Sequence, residues 1–252
     1  MEAGGLHDTL GKEQIYVAVD LLILTEHAAR LKLLLSRRPQ EPFSGRWALP
    51  GRFVGMDESA ETSAQLLLME MLGTQKLYME QLYTFTDIHR DPRGRVISIA
   101  YLVVVPWKEM DPLIREHAEG YQLCDVETGR ELLRITDRDG REMQEADFAF
   151  DHERIVRTGI QRIQGKLNYT PIGFAFLNDP EGFSLSEVQE IHEAILGYAL
   201  DPSNFRRQML KQYEESGTLS QTEKTEIRRR GRPAALYQWK DRRQTQWQTE
   251  NS

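Results

Sequence analysis

Residues 47–74 read WALPGRFVGMDESAETSAQLLLMEMLGT, and this stretch decides the fold. Pro50-Gly51 marks a turn. From 59 to 72 there is neither proline nor glycine, and Gly73 follows, so the spacing predicts a helix over 59–72 closed by a glycine. The carboxylates of this turn-helix unit are Asp57, Glu58, Glu61 and Glu70. Around Glu70 the helix is apolar, with Leu66, Leu67, Leu68 and Met71, and Leu67 and Met71 form an i,i+4 pair. Carboxylates on adjacent turns would hold hard divalent cations. Glu70 with only the more distant Glu58 makes a poor metal site, and Glu61, two turns earlier, is expected to face solvent.

Outward from this unit the chain reads as a mixed α/β domain. Ile15–Leu24 (IYVAVDLLIL) is a buried strand rich in β-branched residues, and Leu31–Ser36 a second. A polar loop, RRPQEPFSGR, spans 37–46. Leu82–Asp87 reads as a strand, 88–95 (IHRDPRGR) as a charged loop, and 96–106 (VISIAYLVVVP) as a strongly apolar strand. The segment 107–147 shows turn signals at Thr128-Gly129 and Asp139-Gly140, with a hairpin expected around ITDRDGREM.

From Asp151, a candidate N-cap, the pattern becomes helical. Val156, Ile160, Ile163 and Leu167 share one face. Ser184-Leu-Ser-Glu187 is a capping-box pattern, followed by Val188, Ile191, Ile195 and Tyr198 at spacings of three, four and three. Residues 203–215 form a further helix with Phe205 and Met209 inward, Gly217 starts a turn, and the rest to about Trp239 suits a hairpin. Two helices on a tight turn and then a hairpin outline either a winged helix or a helical dimerisation domain. The expected division is 1–150 and 151–252.

Charge separates the two parts. Residues 201–240 hold nine Lys/Arg against five Asp/Glu, while the whole chain is −7. Asn204, Arg206, Arg207, Gln208 and Lys211 lie on the second helix, and Lys224, Arg228, Arg229, Arg230 and Arg232 in or beside the hairpin. A recognition helix and a basic wing would use such residues on bases and phosphates; the alternative is a solvated arginine run. A single cysteine, Cys124, excludes an internal disulfide framework and a cysteine-based zinc site. The polar amino terminus is not a signal peptide, and no apolar run has transmembrane length, so a cytoplasmic protein with no membrane partner is expected.

Residues 47–74 resemble the Nudix box: glycine, five residues, glutamate, seven residues, then Arg-Glu-aliphatic-any-Glu-Glu-any-Gly-aliphatic. In that family the helix glutamates bind magnesium and support attack of water on a nucleoside diphosphate derivative. Here Glu58, Glu70 and Gly73 match the pattern. Arg52 stands at the first glycine, Leu66 and Leu67 at the Arg-Glu pair, Met71 at the last glutamate and Thr74 at the final aliphatic position.

The resemblance extends through HRDPRGRVISIAYLVVV, through FAFDHERIVRTGIQRIQGKLNYTPIGFAFL and FSLSEVQEIHEAILGYALDPSNFRRQML, and to GRPAALYQW. In this order the segments are similar to the NrtR regulators, in which a Nudix-type domain precedes a winged helix-turn-helix. The resemblance implies a mixed-sheet α/β/α Nudix-type domain without catalysis that senses a small phosphorylated effector, such as ADP-ribose or a phosphorylated sugar. It also implies a homodimer on operator double-stranded DNA. No cofactor is required, with residual Mg2+ at Glu58 and Glu70 left open, and the alternative is a Nudix hydrolase acting on ADP-ribose or a related compound. Candidate effector contacts are Arg37, Arg52, Glu58, Glu70, Arg90, Asp91 and Arg93. Arg52 would contact a phosphate or else pair with Glu58 or Asp57. The loop carrying Arg90, Asp91 and Arg93 would orient a ribose or phosphate, form a dimer interface, or be merely solvated.

Overall fold

The computed structural model describes residues 14–129, 132–226 and 234–240. The framework is a sheet in the order β5-β6-β1-β2-β7-β8: Tyr78–Phe85 (β5), Arg95–Val104 (β6), Ile15–His27 (β1), Arg30–Arg37 (β2), Tyr121–Thr128 (β7) and Leu133–Thr136 (β8). Two short strands, Trp47–Ala48 (β3) and Gly51–Phe53 (β4), pair with β2 and β1. The central β1 and β6 are parallel, in register from Ile15↔Arg95 to Leu24↔Val104.

Both faces of this sheet are covered, which is why its central strands are apolar at consecutive positions. Val19, Leu21 and Ile23 of β1 pack toward helix α1 (Ala60–Leu72) and helix α2 (Trp107–Glu116) with Ala64, Leu68, Met110 and Leu113. Leu22 and Leu24 face the other way, into a cluster shared with helix α3 (His152–Lys166) and helix α4 (Leu185–Leu196). The layers are therefore α/β/α. Leu67 and Met71 of α1, where the Nudix pattern has glutamates, pack against the core.

Local chemistry accounts for most boundaries. Ser59, expected as the first residue of the helix, is instead its cap, accepting from Thr62 N–H, and Gly73 ends α1 in the left-handed region, as the sequence predicts. The expected hairpin at 135–143 forms, with Thr136 bridged to Glu142. The expectation did not foresee α2, which carries Pro112 inside it. Asp151 stands at the N-cap position of α3 but makes no side-chain cap; its carboxylate goes to Arg90 instead.

The helix α3 lies on the sheet closely enough that a Cβ at Gly159 would fall 1.9 Å from Leu22 Cδ2. Then α4, capped by Ser184, ends at Gly197 with φ +76°. Tyr198 lies beyond that cap and is exposed rather than inward. Thr128 of β7 donates its hydroxyl to the Ile195 carbonyl at 2.8 Å, so the end of α4 is pinned to the sheet.

The chain continues into helix α5 (Pro202–Met209), then strands β9 (Leu219–Glu226) and β10 (Ala234–Trp239), which pair antiparallel. The expected helix over 203–215 is α-helical only to Met209; residues Leu210–Glu214 are π-wound. Phe205, Met209, Leu219 and Tyr237 are buried, and Trp239 stacks on Phe174 at 4.0 Å. Helices α4 and α5 with this hairpin form the winged helix, and its core is continuous with the sheet-facing cluster.

Candidate ligand site and nucleic-acid interface

The carboxylates at the start and near the end of the Nudix-box segment converge on one cation, and that cation is an arginine. Arg52, on β4, places Nη2 3.4 Å from Glu58 Oε1 and Nη1 3.3 Å from Glu70 Oε1. Glu58 also accepts from Ser63 Oγ at 2.5 Å and from Gly55 N–H at 3.4 Å. These contacts, the Ser63 hydroxyl foremost, hold the Glu58 carboxyl below its ordinary range. Arg52 thus makes the expected pair with Glu58, with Glu70 added.

The magnesium that the Nudix box implies does not fit this donor set. Two carboxylates remain, both engaged by Arg52, and no group of three or more His, Cys, Asp or Glu among the described residues is placed to hold a metal. Glu61 is exposed.

A second cluster lies beside β4. Arg93 forms a bidentate pair with Asp91, Nη2 to Oδ2 at 2.7 Å and Nε to Oδ1 at 3.0 Å. Its guanidinium carbon lies 5.5 Å from the Phe53 ring and 5.6 Å from that of Phe150. Arg38 covers the same Phe150 ring at 4.6 Å, and Phe43 meets Phe150 edge-on at 5.0 Å. Partial burial, and then the like charge of Arg93, lower the Arg38 pKa. Phe43 and Phe150 have φ of +68° and +54°, in the left-handed region. For non-glycine residues such backbone costs on the order of 1–3 kcal/mol each and is held by its surroundings, often at ligand sites. Two cations over aromatic rings can accept an anionic group beside a flat ring system.

The other expected effector residues separate in burial. Arg37 is exposed at the end of β2, whereas its neighbour Arg38 enters the cluster. Arg90 is turned inward: its side chain is 4% exposed and spans Asp20 and Asp151. Asp91 is also buried, although Arg93 links it to the cluster. The charged loop is thus neither simply solvated nor open throughout. Sequence reasoning missed Phe43 and Phe150; no spacing signal marks them, because they meet only through the fold.

His152, next to Asp151, is buried and takes a structural part. Its Nδ1 accepts Leu49 N–H at 2.9 Å and its Nε2 lies 3.6 Å from Asp20 Oδ1. Burial lowers its pKa, favouring the neutral ring.

In the winged helix, Asn204, Arg207, Gln208 and Lys211 are all exposed. Their spacing of three, one and three gathers them on one side, away from Phe205 and Met209. Asp201 caps α5 through Asn204 N–H, and Arg207 donates to Asn204 Oδ1 at 2.8 Å. Arg206 has a different part: its Nη2 donates to Tyr237 Oη at 2.8 Å, bracing α5 against β10. Lys224 is exposed on β9. Arg228, Arg229, Arg230 and Arg232 lie outside the described residues.

Two family models match the chain: a NUDIX domain over residues 15–145, and an NrtR DNA-binding winged helix domain over 173–239. The chain is 31% identical over 225 residues to the ADPR responsive transcriptional repressor NtrR of Acinetobacter baylyi, covering 88% of this chain and 81% of that one. It is 31% identical over 141 residues to the ADP-ribose pyrophosphatase of Methanocaldococcus jannaschii, covering 56% of this chain and 70% of that one. Among solved structures, Shewanella oneidensis NrtR complexed with a 27mer DNA superposes with a TM-score of 0.69 at 30% identity, covering 89% of this chain and 93% of that one. With its Nudix-type sheet, arginine-filled carboxylate pair and carboxyl-terminal winged helix, the chain belongs to the NrtR-like family of Nudix-fused winged-helix DNA-binding regulators.

Proposed function

We propose that this protein is a transcriptional regulator that binds operator double-stranded DNA as a homodimer through α5 and the wing. In this reading its Nudix-type domain senses a small phosphorylated metabolite of the ADP-ribose kind without hydrolysing it. The observation that carries the reading is Arg52 lodged between Glu58 and Glu70, in a domain fused to a winged helix with a polar and basic recognition surface. The similarity to a repressor described as ADPR responsive supports the choice of effector.

Each residue then has a stated task. Asn204, Arg207, Gln208 and Lys211 meet base edges or phosphates, Lys224 and the wing arginines meet the backbone, and Arg206 fixes the angle between helix and wing. Arg38, Arg93 and Arg52 supply positive charge to the effector's phosphates, while Phe53 and Phe150 offer ring faces. Arg37 is a peripheral cation, and Glu58 and Glu70 orient Arg52. Asp91 orients Arg93, and Arg90 anchors the loop that carries both.

Because α3 begins beside Phe150 and α4 is pinned to β7, an effector that prefers one arrangement of this region would change the spacing of two winged helices in a dimer. Coupling requires that difference in preference, since equal affinity for both arrangements would shift nothing.

The test is fluorescence anisotropy of the full chain with duplexes from upstream of its own gene and neighbouring genes, at two salt concentrations. Saturable binding to one duplex that weakens steeply with salt is expected. Absence of specific binding, together with magnesium-dependent cleavage of ADP-ribose, would establish the hydrolase reading instead.

A further inference from the structure

We infer that Arg52 is a tethered cation that keeps divalent metal out of this Nudix-type site, so that the site works metal-free. The residues that would receive a divalent ion are still aimed at a common point. Glu58 is fixed by Ser63 and Gly55, and Glu70 approaches from the far end of α1. Between them lies the Arg52 guanidinium, with a separate N–H group directed to each carboxylate. One planar cation thus bridges two anions, as a metal would, but without an open coordination position for water.

Arg52 can take this place because of the backbone beneath it. Its register on β4 sets it against Val19, beside Gly51, where a Cβ would fall 2.4 Å from Asp20 Oδ1. The strand therefore runs tightly along β1 and delivers residue 52 toward α1. Meanwhile Leu67 and Met71, which stand at the two other carboxylate positions of the box, are half-buried and pack against the core. Loss of those donors and gain of the arginine act in the same direction.

The electrostatics give a minimum effect. A divalent ion held by Glu58 and Glu70 would sit about 5 Å from the guanidinium even if Arg52 swung partly aside. At that distance, repulsion in fully water-like surroundings weakens binding by about tenfold, and by more at the lower dielectric of a half-buried site. Arg52 also occupies both carboxylates, which a metal would have to free. This inference does not depend on the identity of any effector, and it can fail while the regulator reading stands.

The experiment is Mn2+ binding to the full chain, followed by the electron paramagnetic resonance signal of free Mn2+, for wild type, Arg52→Ala, Arg52→Lys and the double variant Arg52→Ala/Glu70→Gln. Circular dichroism confirms that each is folded, and Arg52→Ser replaces Arg52→Ala if the alanine variant is not. Arg52→Ala is expected to bind Mn2+ at least about tenfold more tightly than wild type, Arg52→Lys to stay close to wild type, and the double variant to lose the gain. Equal Mn2+ binding by wild type and Arg52→Ala, whether both bind or neither does, overturns the inference. So does a gain that survives Glu70→Gln, because the ion would then sit elsewhere.

Discussion

Replacing Arg90 by methionine tests how the amino end of α3 is held to the sheet. The wild-type guanidinium is 4% exposed and sits between Asp20, 8% exposed, and Asp151, 16% exposed. It donates to Asp151 at 2.7 and 3.2 Å and to Asp20 at 3.3 Å. Methionine preserves much of the volume and removes all three bonds. Asp20 would keep the Ser98 hydroxyl at 2.5 Å, but its His152 neighbour is held toward the neutral form by burial and gives little compensation. Asp151 would lose both bonds from Arg90. Breaking a buried pair from one side typically costs about 3–5 kcal/mol, and the partial exposure of Asp151 places the expectation near the lower end, at about 3 kcal/mol. For a chain of this size that is a fall in Tm of roughly 10 °C. The assay is urea unfolding followed by circular dichroism, with Asp151→Asn and the double variant completing a cycle. The double variant should lose about 1 kcal/mol less than the sum of the single changes, because the orphaned charge is gone. A loss below about 1 kcal/mol for Arg90→Met would refute the reading of Arg90 as a structural anchor.

Three further outcomes follow from other sites. His192, wedged against Gly173 and edge-on to Phe205, is pushed by burial from 6.5 to about 4. Above pH 6.5 neither folded nor unfolded chain carries this charge; between that value and about 4 mainly the unfolded chain does, so stability falls as pH falls. The change from pH 7 to 5 should cost roughly 2 kcal/mol by denaturant titration, and His192→Gln should remove most of that slope. Gly197→Ala should destabilise by about 2–5 kcal/mol, whereas Gly73→Ala should cost only about 1–2 kcal/mol in the same assay. Both have left-handed backbone, but only at Gly197 would a Cβ meet the Thr128 carbonyl oxygen, at 1.6 Å. In DNA titrations, Arg207→Ala should weaken binding and reduce the salt slope by about one. Tyr237→Phe should reproduce part of the Arg206→Ala effect without that change of slope, since it removes the brace and no charge.

Much of the fold was legible because it is written in local chemistry. The apolar run of β1 alternates between two packed faces, and Ser59, Gly73, Ser184 and Gly197 bracket their helices as their residue types require. Helix α2 was not legible, because Pro112 stands inside it. Long-range pairing also hid the environment of single charges. Arg90 reads as part of a solvated or ligand-facing loop until Asp20 and Asp151, 70 and 61 residues away, are seen around it. Asp151 reads as a cap for the same reason. At the end of β2 the adjacent Arg37 and Arg38 are equivalent in sequence, and only the position of Phe150 distinguishes them. The Nudix-box departures were visible residue by residue, but the closure of Arg52 onto both Glu58 and Glu70 needed the structure.

The most direct measurement is the affinity of the full chain for its upstream duplex as ADP-ribose is added without divalent metal, in wild type and in an Arg38→Ala/Arg93→Ala variant. If the Nudix-type domain is a metal-free sensor, ADP-ribose shifts the wild-type dissociation constant saturably, and the variant binds the duplex but loses the shift. A wild-type affinity that stays constant at saturating ADP-ribose would contradict ADP-ribose sensing, and an equal shift in the variant would place the effector away from Arg38 and Arg93.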